Sequence, residues 1–133
     1  MKYEILEHKA DLRIRVFGKT KEELFQNALL AMAESQKAEN LGRKTKRKIK
    51  VNSVDLNSLL VDFLSEALYR SQVNKEVYNN MKFKKFSDIE IEGQLLGQKV
   101  ERFEEDIKAA TYHNLDIQQS KEGIWEATVL FDI

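Results

Sequence analysis

The residues best suited to chemistry in this chain are carboxylates at the ends of apolar runs. Val129-Leu130-Phe131 is followed by Asp132 and Ile133. The Asp132 side chain and the main-chain carboxylate of Ile133 would bring two hard oxygen groups to one strand end, a donor set suited to Ca²⁺ or Mg²⁺. Such a site needs a third anion. Asp11 is the candidate, because it opens another alternating apolar run and has His8 three residues before it. Taken singly, each acid also reads as a solvated turn residue, since carboxylates are mostly surface groups.

His8 and His113 are the only histidines. Imidazole ligates metals and titrates near neutrality, but each is equally readable as a hydrogen-bonded surface side chain. No HxxxH or HExxH spacing occurs, so a zinc hydrolase has little support. On a strand, Thr111 and His113 share one face while Ala110, Tyr112 and Asn114 share the other. Thr111 is then either the polar wall of a site or an ordinary β-branched sheet residue. GxGxxG, GxxxxGK[ST] and GxSxG are all absent, so neither a phosphate cradle nor a nucleophile elbow is encoded. The chain has no cysteine, which excludes disulfides, thiolate metal sites and thiol nucleophiles.

Charge is balanced, with 22 basic and 22 acidic residues. No global field therefore draws the chain to nucleic acid or to an anionic membrane. The sharpest local feature is Lys44, Lys46, Lys48 and Lys50, which share one face of a strand. They read either as phosphate contacts to RNA or as an edge strand protected against edge-to-edge pairing. Lys82, Lys84 and Lys85 interleave with Phe83 and Phe86, which resembles a stacking surface, although core packing is the more ordinary role for those rings. The acidic run Glu101, Glu104, Glu105 and Asp106 reads as a solvated loop. No apolar leader precedes Tyr3 and no segment has the roughly 20 apolar residues that span a bilayer, so the expected location is the cytoplasm.

The elements that must position these groups follow from periodicity. Residues 3–6 and then Leu12, Ile14 and Val16 alternate as strands. Thr20 with Glu23 fits a capping box that opens a helix whose stripe is Leu24, Phe25, Ala28, Leu29, Ala31 and Met32. Residues 43–51 form a strand. After Asn52-Ser53, Leu56, Leu59, Leu60, Phe63, Leu64, Ala67 and Leu68 form the clearest helical stripe, which fades beyond Arg70. Segments 77–86, 89–96, 107–117 and 124–131 read as strands, with a turn at Ser87-Asp88 and a hairpin at Lys121-Glu122-Gly123. The expected fold is α+β: one domain over residues 1–133, with an antiparallel or mixed sheet covered by two main helices.

Taken in order, these segments resemble the archease family. The resemblance is carried by His8-Lys9-Ala10-Asp11, Gly18-Lys19-Thr20, Glu22-Glu23-Leu24-Phe25 and Leu59-Leu60-Val61-Asp62-Phe63-Leu64. It continues through Ala109-Ala110-Thr111-Tyr112-His113 and Val129-Leu130-Phe131-Asp132-Ile133, and so runs from the first segment to the last. Lys9 departs from the Thr usual in the family. The resemblance implies a non-catalytic cytosolic partner of an RtcB-type RNA-splicing ligase, which promotes the ligase's guanylylation and multiple turnover. RNA would be met mainly through the ligase, and no membrane is involved. It also implies a divalent metal, often calcium, held by Asp11, Asp132 and Ile133; His8, Thr111 and His113 are then the residues expected to support those ligands. The alternative is a chaperone-like module that modulates another RNA-processing enzyme, such as a tRNA methyltransferase.

Overall fold

The computed structural model describes residues 1–8 and 11–133, and for Glu7 and His8 the backbone alone. Strand β2 (Asp11–Gly18) alternates as its sequence requires. Leu12, Ile14 and Val16 are buried, while Asp11, Arg13, Arg15 and Phe17 face outward. It lies between β1 (Tyr3–His8) and β10 (Trp125–Asp132), and β8 (Ala109–Thr111) flanks β10 on its far side. The two-residue β9 (Gln118–Gln119) pairs with the start of β10.

Helix α1 (Lys21–Ser35) begins where the capping pattern places it. The Glu23 N–H donates to Thr20 Oγ1 at 3.0 Å. The Glu23 carboxylate accepts from the N–H of Lys19 at 3.1 Å, one residue earlier than a capping box requires. The first turn of α1 lies directly on the end of β2. A Cβ at Gly18 would sit 2.3 Å from the Leu24 nitrogen, so only glycine permits this approach.

A second sheet has the order β4-β6-β5, from β4 (Lys44–Asn52), β5 (Glu76–Phe86) and β6 (Glu90–Lys99). Helix α2 (Leu56–Asn74) links β4 to β5. Its cap is Asp55, which accepts from the Ser58 N–H at 2.7 Å. The Asn52-Ser53 start read from the sequence is displaced because Ser53 instead donates to Asp62, at 2.8 Å. The helix also runs past Arg70 to Asn74 and ends on Lys75 in the left-handed conformation, at φ 53°. Two-residue strands β3 (Ala38–Glu39) and β7 (Arg102–Phe103) pair with each other, so the acidic loop is partly ordered. Every pairing described is antiparallel.

Both helices pack against both sheets. Ile14, Val129 and Phe131 of the first sheet meet Ile91 and Leu95 of the second through Phe25, Leu29, Leu60 and Phe63 of the helices, in one continuous core. Fully burying each such side chain contributes roughly 1.5–3 kcal/mol. Phe25, Phe63, Phe83 and Phe86 form a chain of ring contacts with centroids 5.1 to 6.3 Å apart. Phe83 and Phe86 are half-buried and pack against the core through these contacts. Among the described residues one charged group enters the interior: Glu76 is fully buried, gripped by Arg47 and close to Lys99, and it accepts from the Tyr78 hydroxyl at 2.6 Å.

The segment 107–117 departs from the sequence reading. Only Ala109–Thr111 is strand. Asn114 takes a left-handed conformation at φ 54°, which ends the alternation. Ile117 is then held by its N–H donating to Asn57 Oδ1 at 3.0 Å.

Candidate functional site

The ladder between β2 and β10 ends on a pair of acids, Asp132 directly opposite Asp11. Directly opposed residues on neighbouring antiparallel strands project from the same face, with Cβ atoms about 4.5–5.5 Å apart. Asp132 is exposed and Asp11 half-buried, both on the outward face. One step back along that face, Leu130 opposes both Arg13 and Thr111. The chain between these positions alternates inward, placing Leu12, Phe131 and Ala110 in the core. The apolar interior thereby fixes the register that brings the two carboxylates together.

Ile133 follows on the inward side. Its side chain packs against the core and borders a small cavity with Ile5, Leu12 and Ile107. The Asp132 carbonyl accepts from the Lys108 N–H at 2.8 Å, which ties the strand end to the segment before β8. The strand end is thus held on one side by packing and on the other by backbone pairing.

A hollow of about 350 Å³ opens beside Asp11, lined by Arg13, His113, Asn114, Thr128 and Leu130. The left-handed turn at Asn114 brings His113 and Asn114 to this wall. The His113 N–H donates to Thr111 Oγ1 at 3.3 Å, and the Asn114 amide contacts His113 Nε2 at 3.2 Å. The segment is tied to α2 by the Tyr112 hydroxyl, which donates to Asp62; this bond raises the Tyr112 pKa.

Of the residues singled out in the sequence, Asp11, Asp132 and Ile133 come together at one strand end. Thr111 and His113 lie alongside them. The His8 side chain and Lys9 fall outside the described residues; the His8 backbone pairs with Leu12. Among the described residues no three His, Asp or Glu side chains group as a metal site. Asp11 and Asp132 are the two carboxylates that the strand register brings face to face. The sequence reading missed Arg13 and Asn114. Arg13 was detectable, because a residue two positions from Asp11 on a strand shares its face. Asn114 was not, because its place depends on a turn.

The Archease protein family profile matches residues 3–133. This chain belongs to the archease family. Archease of Methanosarcina barkeri is 39% identical over 98% of this chain and 95% of its own length. Archease of Pyrococcus furiosus is 34% identical over 98% of both chains. Among archeases and related solved structures, the solution structure of Methanobacterium thermoautotrophicum protein 1598 superposes with a TM-score of 0.71 at 27% identity, covering 98% of each chain. The crystal structure of an archease from Thermotoga maritima, described as a possible chaperone, has the same TM-score of 0.71 at 18% identity, covering 96% of this chain and 94% of that one. The latter similarity bears on the fold, which is the two-helix α+β archease fold. No helix among the described residues is long and apolar enough to cross a membrane.

Proposed function

We propose that this archease is a non-catalytic cytoplasmic accessory protein that activates an RtcB-type RNA ligase, promoting its guanylylation and multiple turnover. The observation that carries this reading is the opposition of Asp11 and Asp132 at the end of the β2–β10 ladder. Like charges directly opposite each other weaken a sheet, so such a pair at a rigid strand end is best explained by a cation that it serves. Asp11, Asp132 and main-chain oxygens of Ile133 would hold that divalent cation, calcium being the metal expected. His113 and Thr111 flank the site and would orient its ligands and waters. A divalent metal beside nucleotide phosphates neutralises developing charge in nucleotidyl transfer. The chain's own contribution is to present the carboxylates on an unyielding strand pair.

The test is multiple-turnover RNA joining by the cognate ligase, with wild type or Asp132→Ala added. Stimulation by wild type and its loss in the variant are expected. Equal stimulation by both would rule out the carboxylate site, and no stimulation by folded wild type would rule out the activator role.

A second reading, a chaperone-like module for another RNA-processing enzyme such as a tRNA methyltransferase, is favoured by Tyr69 and Val73. These lie one turn apart on α2 and are each 62% exposed, an apolar pair available to a protein partner. That role does not need the aspartates, so Asp132→Ala would leave it intact.

A further inference from the structure

We infer that the outward face of the β4-β6-β5 sheet binds the phosphate backbone of a single-stranded nucleic acid. Along β4, Lys44, Lys46 and Lys48 alternate with inward-facing Thr45, Arg47 and Ile49, and all three lysines are exposed. Alternate residues on a strand are about 6.6 Å apart, so these lysines form an evenly spaced row of cations. The register carries the charge across the sheet: Lys48 and Lys82 both pair with Gln94, on opposite sides of it.

The decisive feature is how the acids are distributed. At one end of this sheet the lysines are matched: Lys85 pairs with Glu90 at 2.6 Å, Lys84 with Glu92 at 3.8 Å and Lys50 with Glu90 at 3.9 Å. At the other end, Lys44, Lys46, Lys48 and Lys82 have no ion-pair partner among the described residues. The residues opposite the β4 lysines there are Gln98, Leu96 and Gln94. Protecting a sheet edge needs only a charge on the strand; it does not need acids to be withheld from four neighbouring lysines. A cavity of about 720 Å³ borders the same sheet, and the cations Lys48, Lys50, Lys82, Lys84 and Arg70 line it together with Phe83, Ile49 and a single carboxylate, Glu92.

A protein partner is a poorer fit. The cores of protein interfaces are enriched in aromatic residues and depleted in lysine, whereas here the one ring that lines the cavity, Phe83, is half-buried and packed on Phe63 and Phe86. The outward-facing residues opposite the β4 lysines, Gln98, Leu96 and Gln94, offer no ring on which bases could stack. Binding therefore rests on phosphates, is indifferent to sequence and falls steeply with salt.

The experiment is fluorescence anisotropy of a labelled single-stranded RNA 20-mer against the full chain, from 50 to 200 mM salt. Four lysine–phosphate contacts predict a log–log slope of about −3, or roughly a 50-fold loss of affinity across that range. The variant Lys44→Glu/Lys46→Glu/Lys48→Glu should lose detectable binding. The milder Lys→Gln triple, for which folding is checked by circular dichroism, should reduce the slope by about 2. A control of equal net charge, Lys2→Glu/Lys19→Glu/Lys121→Glu, should retain most of the affinity. Absence of salt-dependent binding by wild type would overturn the inference, as would an equal loss in the control. The ligase is not present in this assay, so its outcome is independent of the activator role.

Discussion

Arg47 and Glu76 meet in a two-point ion pair beneath the second sheet, with Nε donating to Oε1 at 2.9 Å and Nη2 to Oε2 at 2.7 Å. Lys99 Nζ lies 3.3 Å from Oε2 and donates to the Asn74 carbonyl at 3.0 Å. Three strands and the end of α2 are thus joined through one carboxylate. The Arg47 hydrogen bond, with help from Tyr78 and Lys99, holds the Glu76 carboxyl at about 2, against the cost of its burial.

The pH dependence follows from that depression. A carboxyl whose folded pKa lies below its unfolded value contributes stability above the unfolded value, about 4.3. That contribution is lost as pH falls toward 2. Urea unfolding of wild type and Glu76→Gln should therefore differ by about 3 kcal/mol near neutrality, the lower end for a broken buried pair because both cations reach solvent. The difference should shrink between pH 4.5 and 2. A gap that persists unchanged at pH 2 would contradict the assignment.

Thr45 offers the opposite experiment. It faces inward on β4, and its buried hydroxyl is without a hydrogen-bond partner among the described residues. An unsatisfied buried hydroxyl costs roughly 1–3 kcal/mol. Thr45→Val keeps the shape and removes the hydroxyl, so it should raise unfolding stability by about 1 kcal/mol. A destabilised valine variant would mean that this hydroxyl finds a partner in solution.

Gly18 sets the junction between β2 and α1. Alanine there would place its Cβ against backbone atoms of Leu24 and Glu23, which cannot move as a side-chain tip can. Gly18→Ala should cost about 3 kcal/mol, the upper end for overpacking. Differential scanning calorimetry would read this as a large fall in Tm.

The opposed aspartates predict a trade between stability and binding. Asp11→Asn removes a like-charge pair and should stabilise the metal-free protein by roughly 0.5 kcal/mol. Calcium should raise the Tm of wild type, because a ligand of the folded state stabilises it by mass action, and should leave Asp11→Asn unmoved. Equal calcium shifts in both proteins would place the cation elsewhere.

What the sequence made legible depended on how many residues carried the signal. The stripe from Leu56 to Leu68 and the alternation at Leu12, Ile14 and Val16 each repeat often enough to specify element and face, and both match the structure. The strands β3 and β7 are two residues each, too short to show any period. In 107–117 the apolar residues Leu115 and Ile117 continue a strand-like spacing, but the left-handed turn at Asn114 breaks it. Glu76 was invisible for another reason. Its burial is made possible by a partner on a distant strand, and the only local hint was Arg47 at an inward position of β4 between Thr45 and Ile49. At the site, the strand ends of Asp11 and Asp132 were legible, but their direct opposition depends on register, which only the assembled sheet fixes.

That β10 lies between β2 and β8 also has a consequence during synthesis. The strand that joins the two halves of the first sheet is made after β1 to β9. While a ribosome is still extending the chain, β1 and β2 form a hairpin with an open edge, and β8 has no neighbour. Non-local pairings of this kind close late and leave edges exposed in the meantime. A nascent chain stalled before β10 should therefore be sensitive to proteases, and should become resistant only once residues 125–132 have cleared the exit tunnel.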